Sequence, residues 1–143
     1  MEGKVKKRFL SIAWLSILLA ALFSGISFAG TWVKTGSLWR YRVGKHFYRN
    51  QWAEIDGEWY YFKDGGYMAK NEWVGSYFVK GNGRMAKNEM QYDQSTASSY
   101  YFLEDGKTAK NQWKKVGDYW YYFKSNGKVA RKEWIENKYY VLD

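Results

Sequence analysis

Apolar and polar positions come in short bursts along residues 30–143, and the apolar bursts are aromatic. Residues 51–71 show the pattern best. Trp52 is followed by Asp56-Gly57, by the run Trp59-Tyr60-Tyr61-Phe62, by Lys63-Asp64-Gly65-Gly66 and by Tyr67-Met68-Ala69-Lys70. Such a run has strong strand preference. Side chains alternate along a strand, so Trp59 and Tyr61 share one face, Tyr60 and Phe62 the other. Asp-Gly or Asn-Gly after such a run signals a hairpin, because the turn needs positive φ. That signal stands at Asp64-Gly65, Gly81-Asn82-Gly83, Asp105-Gly106 and Asn126-Gly127. Each unit therefore reads as one β-hairpin plus a connecting loop.

The bursts also repeat. Gly66 to Trp73 returns as Gly83 to Met90, Gly106 to Trp113 and Gly127 to Trp134. The leading position holds Trp32, Trp52, Trp73, Met90, Trp113 and Trp134, at spacings of 20, 21, 17, 23 and 21. A second tryptophan stands seven residues later at Trp39, Trp59 and Trp120; counting back from the hairpin glycine, Ser76 and Ser99 take that position in two central units, and Lys138 takes it in the last. About six hairpin units result, three of them degenerate, and the long central one carries the polar insert Gln94-Ser95-Thr96-Ala97-Ser98-Ser99. Units this short bury their apolar faces only against neighbours. A lone hairpin is marginal in water, so the predicted fold is all-β, a solenoid of stacked hairpins.

Residues 1–29 break the pattern. Lys4, Lys6, Lys7 and Arg8 precede an uncharged stretch from Phe9 to Phe28, and small residues stand at Ser27 and Ala29. That is the layout of a helical secretory signal peptide cut after Ala29, rather than an uncleaved anchor. The expected domains are a signal peptide over 1–29 and a repeat module over 30–143. An exported chain usually gains disulfides; this one has no cysteine and no proline. Ring packing and strand pairing must then supply its stability.

The full chain carries +9, and residues 30–143 carry 19 basic and 13 acidic side chains, or +6. This balance suits anionic surfaces such as phosphate-rich wall polymers. The basic residues are spread through the repeats rather than gathered in one run, which argues against nucleic acid as the partner.

The rings raise the functional question. Aromatic cages bind quaternary ammonium groups through ring faces, tryptophan best of all. A leading Trp, the Trp seven residues on and a Tyr from the next unit would surround one trimethylammonium, with a Met as a polarisable wall. Tyr60, Phe62, Tyr100, Phe102, Tyr121 and Phe123 read instead as packing. For the seven-spaced Trp pairs the residues alone leave packing and ligand contact both open.

Trp52 with Trp59-Tyr60-Tyr61-Phe62 and Gly66-Tyr67-Met68-Ala69, and Trp113 with Trp120-Tyr121-Tyr122-Phe123 and Gly127, resemble the cell-wall-binding repeats of the choline-binding proteins of streptococci and their phages. The resemblance covers residues 30–143. It implies a secreted protein on the bacterial cell wall. There it would hold phosphocholine of teichoic and lipoteichoic acids non-covalently between consecutive hairpins, with no cofactor. Carried over by motif position, one site would use Trp32, Trp39 and Tyr61, the next Trp52, Trp59 and Met68, and the last Trp113, Trp120 and Tyr140. Trp73, Tyr122 and Trp134 complete the implied choline-contacting set. Ser76, Met90 and Ser99 depart from the pattern and put the central hairpins in doubt. A homodimer through the C-terminal hairpin is a further implication. Related repeats bind glycans, so a glucan-binding module is the alternative, followed by an adhesin scaffold for a host protein.

Catalysis is not expected. The only histidine is His46, and Asp56, Asp64, Asp105 and Asp118 fall at turns, where aspartate has a local backbone role. No carboxylate pair is placed for acid–base work, and no metal site is predicted.

Overall fold

The structure, a computed structural model, describes residues 30–141, so the signal-peptide reading of residues 1–29 lies outside them. The described residues form antiparallel hairpins in sequence order, with no crossover between them. The first pairs β1 (Thr31–Thr35) with β2 (Leu38–Val43), and adds the short β3 (His46–Phe47) on the far edge of β2. Then come β4 (Gln51–Ile55) with β5 (Glu58–Phe62), β6 (Glu72–Val74) with β7 (Tyr77–Val79) and β8 (Glu89–Asp93) with β9 (Ser98–Phe102). The last two are β10 (Gln112–Val116) with β11 (Tyr119–Phe123), and β12 (Glu133–Ile135) with β13 (Tyr139–Val141).

The reversal inside each hairpin comes earlier than the Asp64-Gly65 type of signal suggests. Ile55 faces Glu58, so Asp56 and Gly57 make a two-residue turn with φ of 53° and 78°, the positive pair a tight hairpin demands. The Asp64-Gly65-Gly66 segment closes a second, smaller turn, with Gly66 N–H donating to Lys63 O at 2.8 Å and a single bridge from Phe62 to Met68. Both sites offer the left-handed residue a turn needs. The strand between them is long enough to pair only with β4, so the later turn folds the connector back as one bridge.

The repeated Ala-Lys-Asn-Glu-Trp segment now has a physical account. Ala69, Ala86, Ala109 and Ala130 are buried to 0–1% exposure, and each N–H donates across its own hairpin, as Ala69 does to Tyr61 O at 2.9 Å. Asn50, Asn71, Asn88 and Asn111 adopt φ of 48°, 51°, 51° and 49°, a region asparagine tolerates better than most residues. Their N–H groups close the hairpin bases, as Asn50 does on Lys63 O at 3.1 Å. The following Glu pairs with the connector lysine: Lys63–Glu72 at 2.7 Å, Lys80–Glu89 at 2.8 Å and Lys124–Glu133 at 3.0 Å. The hydrogen bond from Lys124 lowers the Glu133 pKa.

Neighbouring hairpins are joined by little backbone. Met68 N–H donates to Trp39 O at 2.7 Å, Met85 to Trp59 O at 2.8 Å and Val129 to Ser99 O at 2.9 Å. The rest is side-chain packing in three small clusters strung along the array. Ile55, Tyr60, Phe62 and Met68 form one, Phe78, Ala86, Tyr100 and Phe102 the second, and Ala109, Phe123 and Val129 the third. A series of local cores is how a solenoid holds together. The close stacking also needs glycine: a Cβ on Gly83 would collide with the Met68 thioether.

Candidate functional site

In four hairpins the leading tryptophan faces its cross-strand partner and also reaches the next hairpin. Trp32 pairs with Tyr41 in register, and its ring lies 5.0 Å from Tyr41 and 4.9 Å from Tyr60 of the following hairpin. Trp52 meets Tyr77 at 5.7 Å, Trp73 meets Tyr100 at 5.0 Å and Trp113 meets Tyr139 at 5.8 Å. One residue type at one strand position thus recurs as the ring supplied by the next unit.

At two of the three tryptophan pairs, Trp32 with Trp39 and Trp113 with Trp120, a corner opens. Trp32 and Trp39 stand at 89° to each other, 6.3 Å between centroids. With Tyr60 and Met68 they line an N-terminal notch of about 420 Å³, whose rim includes Asn82 and Arg84. Lys34 Nζ lies 5.4 Å from the Trp39 ring, so a cation already samples this indole's field. A second notch, of about 620 Å³, is lined by Trp113, Trp120, Tyr122 and Tyr139, with Asn111, Gln112 and Glu136. Trp120 is 62% exposed, which leaves its ring open to a ligand.

The middle of the array is built differently. Ser76 sits in the two-residue turn between β6 and β7, and Ser99 is buried. No second indole stands there. The Trp73 ring packs against Phe78, Tyr100 and Phe102 at 5.4, 5.0 and 5.6 Å. Its Nε1–H donates to Asp93 Oδ2 at 3.0 Å. Asp93 is buried and also accepts from Ser95 N–H, Ser95 Oγ and Thr96 Oγ1 at 3.0, 2.7 and 2.8 Å. Burial works to raise its pKa, but hydrogen bonds from Trp73, Ser95 and Thr96 prevail and lower it to about 2. The polar insert thus supplies donors, from Ser95 and Thr96, to a carboxylate that fastens an indole.

The structure groups the expected site residues unevenly. Trp32 with Trp39, and Trp113 with Trp120 and Tyr122, come together as notch walls. Tyr61 does not join Trp32: it lies 5.4 Å from Trp52, and its hydroxyl donates to Asn50 Oδ1 at 2.8 Å. Tyr60 takes its place. Tyr140 likewise packs on Trp134 at 5.3 Å, and Tyr139 stands beside Trp113. Met68 lies with Trp32 and Trp39 rather than with Trp52 and Trp59; the backbone of Met85 is what meets Trp59. Trp73 is fastened in the middle, and Trp134 is 62% exposed on the last hairpin. The sequence reads Tyr60 as packing and Asn82 as a turn residue, and does not single out Tyr139, Arg84 or Glu136, although the recurrence of tyrosine at positions 60, 77, 100, 121 and 139 is a readable signal.

Comparison with known proteins agrees with the fold and the repeats. The family described as "Choline-binding repeat" matches residues 46–79 and 67–107, and the "Putative cell wall binding repeat" matches residues 111–129. The autolysin LytC of Streptococcus pneumoniae is similar in structure, with a TM-score of 0.70 and 41% identity over 78% of this chain. The match spans 26% of the autolysin's own length. The choline-binding domain of CbpL from Streptococcus pneumoniae gives a TM-score of 0.58 and 35% identity, covering 75% of this chain and 68% of that one. A truncated alternansucrase from Leuconostoc mesenteroides shares the fold at a TM-score of 0.55, with 20% identity over 70% of this chain and 10% of its own. No curated protein matches the chain.

Proposed function

Because this chain belongs to the choline-binding repeat family, we propose that its notches hold the trimethylammonium of phosphocholine on teichoic and lipoteichoic acids, and so keep the protein non-covalently on a bacterial wall. The observation that carries the reading is the open corner of Trp32, Trp39 and Tyr60, which recurs as Trp113, Trp120 and Tyr139. Perpendicular indoles offer two electron-rich faces to one cation, and the tyrosine of the next hairpin adds a third wall. Each desolvated ring contributes roughly 1–2 kcal/mol, so three rings give on the order of 3–5 kcal/mol, which is millimolar affinity. Several notches on one chain facing a polymer of many headgroups gain through effective concentration. The module binds; it performs no chemistry on the headgroup.

The test is retention on a choline or amine resin, with and without free choline. Release by millimolar choline is expected. Passage straight through the resin, or co-sedimentation with insoluble α-glucan that choline leaves unchanged, would overturn the reading in favour of a glycan ligand.

A further inference from the structure

The two open notches share a tryptophan pair and a tyrosine of the next hairpin, but their rims carry charges of opposite sign. At the N-terminal notch the rim is Asn82 and Arg84. Arg84 Nη1 lies 3.3 Å from Glu58 Oε1, and Asn82 Oδ1 accepts from Arg84 N–H at 3.0 Å. Hydrogen bonding with Tyr60 and the charge of Glu58 raise the Arg84 pKa further above its ordinary value, at which a guanidinium is already a cation. A guanidinium carries five donors, and these contacts use only part of the set. The Asn82 carbonyl is engaged, which leaves its amide N–H groups for a ligand. At the C-terminal notch the rim carries Glu136, with Asn111 and Gln112.

We propose that the notches read different parts of the ligand: the N-terminal one binds the phosphate of phosphocholine through Arg84 and Asn82, and the C-terminal one prefers the bare cation through Glu136. This rests on the choline reading above. A phosphate beside Arg84 forms charge-assisted hydrogen bonds, and a planar fork suits phosphate better than a point charge does. The same phosphate beside Glu136 meets a like charge.

The experiment follows the indole N–H signals of the full chain by NMR, assigned with Trp39→Phe and Trp120→Phe, during titration with choline and separately with phosphocholine. The N-terminal notch is expected to favour phosphocholine and the C-terminal notch choline. Arg84→Gln should lower phosphocholine affinity at the N-terminal notch about three- to ten-fold and leave choline affinity within about two-fold. Glu58→Gln, which releases Arg84 from its pair, should move the preference the other way, toward phosphocholine. Glu136→Gln should narrow the preference of the C-terminal notch. High salt should weaken all three effects, because the rims are exposed. Equal ratios of the two ligands at both notches, or an Arg84→Gln effect shared by choline, would overturn the proposal while leaving choline binding intact. Indole signals that choline does not move would overturn the choline reading itself. Phosphatidylcholine vesicles offer the same headgroup in a lipid surface and should not retain the chain; retention that Arg84→Gln abolishes would overturn the wall polymer as the source.

Discussion

Trp73 and Trp113 occupy the same position in their hairpins, each one residue into a strand and facing an aromatic partner. Their fates differ. Trp113 borders an open notch beside Trp120 and Tyr139, whereas Trp73 is wedged among Phe78, Tyr100 and Phe102 with its N–H fastened to buried Asp93. The difference lies in the residue just before the second strand's tyrosine, Trp120 before Tyr121 and Ser76 before Tyr77. Trp120 stands out from β11 and props the space open, while Ser76 is too small to do so and sits in a turn. A ring in this fold is a ligand wall or a core plug according to its neighbour, not according to its own identity. The central unit is filled by packed rings, and the flanking units keep open notches.

Mutations at the two places should separate these roles. Phe102→Ala empties a fully buried site and should cost about 3–5 kcal/mol, read as a lowered melting temperature. Saturating choline acts in the opposite direction and only through the notches. At about 100 times Kd it should add about 2.7 kcal/mol per filled site. That gain should survive in a Ser99→Ala chain and shrink in Trp39→Ala or Trp120→Ala; a melting temperature indifferent to choline would erase the contrast.

Acid should attack the centre first. The Asp93 carboxyl is held at about 2 against an ordinary 3.8. Because the folded value is the lower one, its stabilisation is complete above about pH 4, falls as the pH drops toward 2, and amounts to about 2 kcal/mol. Asp93→Asn should remove most of that and flatten urea-unfolding midpoints measured across this range. The smallest effect on stability belongs to Trp120→Ala. Its ring is 62% exposed, so stability should change by under about 0.5 kcal/mol. Choline affinity at that notch should nonetheless fall about five- to thirty-fold, from one lost cation–π wall. A large loss of stability with unchanged affinity would reverse the assignment of roles.

Much of this was readable in the chain. The aromatic runs, the paired tryptophans, the degenerate middle and the hairpin units all follow from local pattern, because strand preference and alternation need no knowledge of distant residues. The identity of the third ring did not follow. Tyr60 and Tyr61 are adjacent and chemically alike, and alternation says only that they point to opposite faces. Which face meets Trp32 depends on how one hairpin is rotated over the one before it. The same holds for Tyr139 and Tyr140, and for Met68, whose backbone hydrogen bond to Trp39 O assigns it to the earlier notch. Asp93 was hidden for another reason: its partners Ser95 and Thr96 are local, but the Trp73 indole it anchors stands 20 residues away.

The amino-acid order by itself determined the hairpins, their number and the supply of tryptophans, since these rest on backbone preferences and a period of two. Only the stacked structure decided which notches open, which tyrosine completes each and what charge sits at each rim. Those are relations between units, set by the packing of one hairpin on the next, and no stretch of local sequence contains them.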